Sequence, residues 1–332
     1  MAFFPRTRLR RNRQSSWIRE LTAQNTLTPS DLILPLFVIE GKNKEEKIST
    51  LPGISRLSLD LIVKKAKEAQ NLGIPALMLF PSIDQKLKNE AGTEALNSKN
   101  LVCRAIKEIK NVAPEIGVIT DVALDPYTNH GHDGLVNKQG EIDNDSTIEI
   151  LCEQAAIQAQ AGSDMVAPSD MMDGRIGVIR DFLDSQNLSQ TMIMAYSVKY
   201  ASAFYGPFRD AVGSASNLKK THAKKDKKTY QMDFRNSLEA MREIELDIDE
   251  GADSVIIKPG MNYLDIVAAA AQNFSAPIIP YQVSGEYAMM KIAAEKGAFD
   301  FDQIFFESLM AFKRAGASAV ISYGAIEAAK KL

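Results

Sequence analysis

The chain has 332 residues, 45% hydrophobic and 24% charged, with a net charge of −3, an ordinary globular composition long enough for one large domain or two small ones. Near-neutral charge gives no reason to expect nucleic acid or a membrane surface as partner, and apolar runs such as 33–39 and 255–257 are far too short to span a bilayer. The two cysteines, Cys103 and Cys152, fall within helical patterns, so no disulfide framework is implied and a reducing cytoplasm fits.

The first segment, MAFFPRTRLRRNRQSSWIRE, carries Arg6, Arg8, Arg10, Arg11, Arg13 and Arg19 before its first acid, Glu20. An organelle transit peptide is also Arg-rich and acid-poor. Low serine content and Pro5, which disrupts an amphipathic helix at its start, argue instead for a surface arm over 1–30 that wraps a partner subunit. Residues 31–332 then form the folded domain.

One join recurs along that domain: LGIPALMLF (72–80), AGSDMVAPS (161–169), EGADSVIIKPG (250–260) and AGASAVISYG (315–324). Each has a helical pattern ending at a glycine, which accepts the left-handed backbone past a helix C-terminus. Each then runs into short apolar stretches suited to strands buried on both faces. Eight such strands are predicted, at 32–39, 76–80, 117–124, 164–168, 192–197, 254–258, 277–283 and 319–323. Helical stretches separate them; STIEILCEQAAIQAQAG is one, with a capping box of Ser146 and Glu149. Eight strands alternating with helices predict a (β/α)8 barrel, an α/β fold. The competing doubly wound sheet lacks a Gly-rich phosphate loop after any strand.

The connection between Ser197 and a helix starting near Phe234 exceeds thirty residues and includes NLKKTHAKKDKKTY. Loops this long are usually lids or linkers, and 200–231 is read as an active-site lid whose lysines are mostly solvated.

Barrel chemistry sits at the C-terminal strand ends. Those positions hold Asp121 and Asp125, Ser169, Lys199, Lys258, Ser284 and Tyr323. A lysine at a strand end is, alone, most often a solvated or salt-bridged group. Two on adjacent strands, each after apolar residues, would disfavour each other's protonation in a dry pocket. A neutral amine attacks a ketone to form a Schiff base, so the pair suggests covalent capture of one carbonyl substrate or two.

These residues lie in longer motifs. TRLRRNR, DLILPLFV, LPGISRLS, APSDMMDGRIG, MAYSVKYASAFYGPFRDAVGSA, VIIKPGMNYLDI and YQVSGEYAM resemble, nearly end to end, the porphobilinogen synthase (5-aminolevulinate dehydratase) family. The resemblance implies asymmetric condensation of two 5-aminolevulinate molecules to porphobilinogen with loss of two waters, in tetrapyrrole (haem) biosynthesis. It implies a Schiff base at Lys258 for the first substrate and at Lys199 for the second. Ser284 and Tyr323 match a hydroxyl clamp for the first carboxylate. Arg209, Lys227 and Gln231 match the clamp for the second. The family often has an arginine at the position of Lys227, and the lid looks long, so Lys225 or Lys228 could take that place. Tyr205, Phe208 and Tyr281 resemble the pocket's aromatic walls; Asp121 and Ser169 match polar contacts to the first substrate's amino group.

The stretch DVALDPYTNHGHDG bears on metals. Zinc-dependent members place cysteines where this chain has Ala123, Asp125 and Asp133. Zinc is well held by thiolates, whereas carboxylates suit Mg²⁺ or a monovalent cation. The resemblance is thus to an aspartate-rich, magnesium-type member with no active-site zinc, in which Asp125 and Asp133 bind a weak cation or act directly as acid–base groups. His130 and His132 are read as loop hydrogen-bonders. Glu243, in LEAMREIELDIDEG, matches the carboxylate of a stimulatory, allosteric Mg²⁺ between subunits, although an exposed acid beside Arg242 has the same pattern. The arm fits a homo-octamer built from hugging dimers. An aldolase-type lyase using one lysine is the alternative enzyme. A catalytically silent binding protein is disfavoured, because the pocket positions carried over are chemically competent.

Overall fold

All eight apolar runs form strands in the structure, a computed structural model that describes residues 3–218 and 223–332. Residues 1–2 of the arm and Lys219 and Lys220 of the lysine run lie outside the described residues. The strands are β1 (Leu32–Ile39), β2 (Ala76–Pro81), β3 (Gly117–Val122), β4 (Met165–Pro168), β5 (Met192–Lys199), β6 (Ser254–Lys258), β7 (Ile278–Gln282) and β8 (Val320–Ser322). Each pairs in parallel with the next. β8 returns to β1 through Leu32↔Val320 and Ile33↔Ile321, closing the sheet. Closure leaves none of the eight barrel strands as a sheet edge. The fold is a (β/α)8 barrel.

β1 and β6 are buried along their whole length, which explains why they read as continuous apolar runs rather than alternating ones. The covering helices bury one stripe each; Leu101–Val112 turns Leu101, Val102, Ala105, Ile106 and Ile109 inward. The predicted joins are present: Gly73, Gly162, Gly251 and Gly316 all have positive φ.

Three local expectations are corrected, and one element is added. The helix Asn144–Gln160 is capped by Asp143, whose carboxylate accepts from the Ser146 backbone, so Ser146 is inside the first turn and not its cap. The helix after the lid begins at Leu238 rather than near Phe234, because Asp233 holds a turn by accepting from the Arg235 N–H. A hairpin of Glu45–Lys47 and Ser55–Ser58, absent from the sequence reading, extends the sheet beyond β1 through Phe37↔Arg56. β5 runs two residues past the predicted end and so includes Lys199.

That last difference has a structural cause. Ser254 pairs with Met194 and Val255 with Ala195, but Ile257 pairs with Val198 and Lys258 with Lys199. β5 therefore bulges by one residue between Ala195 and Val198. A bulge re-aims every side chain beyond it to the other face.

Gly162 has φ +106 with only ordinary contacts where a Cβ would sit. Gly162→Ala should lower unfolding stability by about 1–2 kcal/mol, seen as an earlier denaturant midpoint with catalytic rate unchanged.

Candidate active site

Lys258 ends β6 and Lys199 ends β5, and the two are Cα partners in the ladder. Their side chains enter one buried chamber lined also by Asp121, Asp125, Asp133, Ser169, Tyr205, Phe208, Arg209, Lys227 and Gln231. The Lys258 ammonium lies 5.0 Å from the Tyr196 ring centre, 5.3 Å from Tyr205, 4.9 Å from Phe208 and 4.7 Å from Tyr281. It makes no ion pair among the described residues. Burial pushes its pKa down to about 7; the Lys199 charge adds to the effect, and the aspartates oppose it.

Lys199 has different surroundings. Its Nζ donates to the Ser169 carbonyl and pairs with Asp133 Oδ1 at 3.2 Å. The two amines are therefore not the symmetric pair the sequence suggested: one faces aromatic rings, the other a carboxylate.

The acidic stretch folds back on itself. The Leu124 N–H donates to the Asp133 carbonyl, which brings Asp125 and Asp133 together. Burial would raise the Asp133 carboxyl, but Lys199 and Lys227 and the Tyr230 hydroxyl, 2.9 Å away, hold it well below the usual carboxylate range. Asp121 moves the other way. Burial raises it to about 7, against Lys199 and with help from Asp125; its Oδ1 has no hydrogen-bond partner among the described residues. Ser169, just past the end of β4, eases that rise.

Of the lysines at 224, 225, 227 and 228, Lys227 alone is buried, so neither Lys225 nor Lys228 takes its place. Its ammonium lies 2.7 Å from Asp133 Oδ2 and 3.5 Å from Asp125 Oδ2. Expected as a clamp for a substrate carboxylate, it is found on the protein's own carboxylates, which would otherwise be buried without enough counter-charge. An ammonium there does not fit a metal ion bridging the same two oxygens. Among the described residues no group of three His, Cys, Asp or Glu side chains is disposed to hold a metal.

The lid contributes Tyr205, Phe208 and Arg209 from a short helix, Gly206–Val212, and the residue before it. Phe208 packs 5.1 Å from Phe80 and 5.7 Å from Phe37. Gln231 presents a buried Oε1 with no partner among the described residues. Ser284, Tyr281 and Tyr323 are not in the chamber's lining. Ser284 Oγ accepts from the Phe208 N–H at 2.9 Å, and the hydroxyls of Tyr281 and Tyr323 bond to each other at 3.0 Å. With the lid in place, Ser284 is occupied by lid backbone. The remaining cavity is about 20 Å³, room for a water and not for a substrate.

Glu243 stands apart. Half-buried on Leu238–Asp249, it lines a neighbouring cavity of about 560 Å³ with Asp173, Asp233 and Glu239. Burial raises its carboxyl, against Arg175 and with help from Asp247.

Sequence reasoning missed Tyr196, Tyr230 and a part of His132's role. Tyr196 lies beneath both ammonium groups. His132 is a loop hydrogen-bonder as expected: Nε2 donates to the Lys224 carbonyl at 2.8 Å. Its Nδ1 also contacts the Tyr230 hydroxyl at 3.1 Å, one bond from Asp133. No spacing links residues 133 and 230; for Tyr196 the available hint was its place inside the predicted strand 192–197, three residues before Lys199.

Lys258 should be modified by an amine-selective reagent with a midpoint near pH 7, because the reactive free amine predominates above the pKa. Removing the neighbouring charge in Lys199→Met should move that midpoint upward. Peptide mapping of the labelled protein across pH 5–11 checks both.

Residues 6–331 match the family profile described as delta-aminolevulinic acid dehydratase. A delta-aminolevulinic acid dehydratase from Bradyrhizobium diazoefficiens is 55% identical over 325 residues, covering 98% of this chain and 90% of that one. One from Chlamydia pneumoniae is 50% identical over 318 residues, covering 96% and 94%. The crystal structure of delta-aminolevulinic acid dehydratase (porphobilinogen synthase) from Toxoplasma gondii ME49, in complex with the reaction product porphobilinogen, superposes with a TM-score of 0.95 at 48% identity. It covers 99% of this chain and 93% of that one. The chain belongs to the delta-aminolevulinic acid dehydratase family.

Proposed function

We propose that the protein is a porphobilinogen synthase, a hydro-lyase that condenses two 5-aminolevulinate molecules asymmetrically to porphobilinogen with loss of two waters. The observation that carries this reading is the pair Lys199 and Lys258, register partners whose amines share one buried chamber. With a pKa of about 7, Lys258 is substantially unprotonated at neutral pH. Its free amine adds to the first substrate's ketone, and the resulting carbinolamine expels water to leave a Schiff base. Lys199 holds the second substrate in the same way. Two tethered substrates react as one molecule, which lowers the barrier by roughly 7–11 kcal/mol in favourable cases.

Asp121, with its carboxyl near 7, can give or take a proton at working pH and is the general acid–base group beside the first substrate. Asp133, held ionised, orients Lys199; Asp125 and Ser169 complete the polar side of the chamber. Arg209, Gln231 and Lys227 receive the second carboxylate. Ser284 and Tyr323 receive the first once Phe208 has moved off Ser284. Tyr205 and Phe208 wall the chamber, and the Tyr281 ring faces the Lys258 amine.

The protein is a magnesium-type member. Mg²⁺ keeps most of its waters and takes one or two carboxylates, and Glu243 on a water-accessible acidic cavity supplies such a ligand. That ion is stimulatory and lies at a subunit contact; the chamber itself takes no zinc, and a monovalent cation would enter it only with Lys227 off Asp125 and Asp133. The arm, 1–30, wraps a second copy within an octamer. Its support is the exposure of Phe3, Phe4, Leu9, Trp17 and Leu21, an apolar surface costly to leave in water. No helix among the described residues is long and apolar enough to cross a membrane, and the proposed compartment is the cytoplasm.

A second reading, an aldolase-type lyase with one Schiff base, draws on the Lys199–Asp133 ion pair, which suits a positioning cation as well as a nucleophile. Purified protein incubated with 5-aminolevulinate should yield porphobilinogen, read by Ehrlich colour; none formed, with or without Mg²⁺, overturns the proposal. Borohydride should trap substrate on both lysines. Lys258→Ala and Lys199→Ala should each abolish porphobilinogen, and Lys199→Ala should still be trapped at Lys258. Turnover surviving in Lys199→Ala selects the aldolase-type reading. Asp121→Asn should cost about 10²–10⁴-fold in rate.

Excess EDTA should lower activity and Mg²⁺ restore it, whereas a zinc-selective chelator should have no effect; Glu243→Gln should remove the Mg²⁺ response. Deleting residues 1–12 should lower the native mass measured by light scattering, and an unchanged octamer overturns the arm's role.

A further inference from the structure

The motif LPGISRLS, 51–58, has no part in the chemistry above, yet it reaches the lid. Arg56 lies on the hairpin strand Ser55–Ser58, anchored to the end of β1. Its Nε donates to the Ala211 carbonyl at 2.5 Å and its Nη2 to the Asp210 carbonyl at 2.7 Å. From the same hairpin, Thr50 Oγ1 donates to Asp210 Oδ2 at 3.0 Å. Lys88, buried in the loop after β2, points its Nζ at the Val212 carbonyl at 3.5 Å. The last three carbonyls of the lid helix Gly206–Val212 therefore each face a cation.

Carbonyls at a helix C-terminus have no partner within the helix, and they carry the negative end of its dipole. A seven-residue helix is too short to persist by itself in water. What fixes it is external: Ser284 at its start, through the Phe208 N–H, and Arg56 with Lys88 at its end. The planar guanidinium edge, Nε beside Nη2, fits two successive carbonyls at once, which a lysine ammonium does not. Glu46, 3.6 Å from Nη1, steadies Arg56 from its far side.

We propose that Arg56 is a positioning residue for the lid, holding the C-terminal carbonyls of helix Gly206–Val212 so that Phe208 and Arg209 close over Lys258. Its consequence for turnover rests on the porphobilinogen synthase reading; its consequence for the lid does not. Arg56 does not line the chamber and touches no reacting atom. Because the closed chamber admits no substrate, the helix must leave and return in each cycle, and Arg56 with Lys88 defines the place to which it returns.

The test is amide hydrogen exchange across 206–213 together with steady-state kinetics on the full-length protein. Arg56→Gln and Arg56→Ala should speed exchange of those amides roughly tenfold or more, the loss of charge-assisted bonds, while barrel-strand amides keep wild-type rates. KM for 5-aminolevulinate should rise by a similar factor with kcat changed less. Millimolar guanidinium should restore lid protection and KM in Arg56→Ala, and Arg56→Lys should restore them only in part. Lys88→Met, which leaves the hairpin untouched, should loosen the same amides by a smaller factor. Lys88→Met reads the same latch should the Arg56 variants not fold, and unchanged lid exchange in it then overturns the proposal. Wild-type lid exchange in the folded variants, or faster exchange spread evenly through the barrel, overturns the proposal. Lid amides that respond to Arg56 in a protein forming no porphobilinogen overturn the enzymatic reading and leave the latch standing; the opposite pattern overturns the latch alone.

Discussion

Lys199 reaches the barrel interior because β5 carries one residue more than β6 between their shared register points, Ala195↔Val255 and Val198↔Ile257. Without that extra residue Lys258 would face Val198, and Lys199 would project to the opposite side of the sheet. The bulge thus brings two ammonium groups into one chamber, and the other charges there are arranged around that crowding. An ion taken out of water must be matched by a counter-ion or lose its charge.

The site resolves this differently for each group. Asp133 gathers two lysines and a tyrosine hydroxyl and stays ionised. Among the described residues Lys258 gathers only ring faces and sits near 7; Asp121, with one oxygen lacking a partner among them, rises to the same region. An amine and a carboxyl poised together near neutrality, beside a fixed ion pair, are the conditions for making and dehydrating a carbinolamine without extremes of pH. On the proposed chemistry the unequal partners of the two lysines have distinct uses. One is ready to attack, and the other is oriented by a carboxylate that its own reaction must release.

Much of this was legible in the sequence, for identifiable reasons. The four Gly-then-apolar joins marked strands because glycine past a helix end and burial on both faces are local properties of the chain. Strand-end residues such as Asp121, Ser169 and Lys258 followed from counting along those runs. Lys199 was placed near its strand's end, but the bulge that aims it depends on pairing with β6 and leaves no mark in MAYSVKY. The cap at Asp143 was missed because Ser146 and Glu149 offered a competing local pattern. Tyr230 was invisible as a partner of Asp133 and His132, since those contacts exist only when a segment nearly a hundred residues away folds back over the mouth. Lys227 was found by resemblance, but its actual bonds, to Asp133 and Asp125, are set by unmet buried charge that no motif records.

The division of labour between barrel and lid follows from the same electrostatics. The barrel supplies Lys199, Lys258, Asp121, Asp125, Asp133 and Ser169 on strand ends and the loop closed by Leu124 and Asp133, all rigidly held. The lid supplies Lys227, Gln231, Arg209 and the covering rings. Two of the groups that keep Asp133 ionised, Lys227 and the Tyr230 hydroxyl, thus belong to the lid. In the closed chamber the lid's own cation and hydroxyl stand where water would otherwise solvate Asp133, so closure does not have to bury a naked carboxylate. A lid of purely apolar residues would meet that desolvation cost on every cycle.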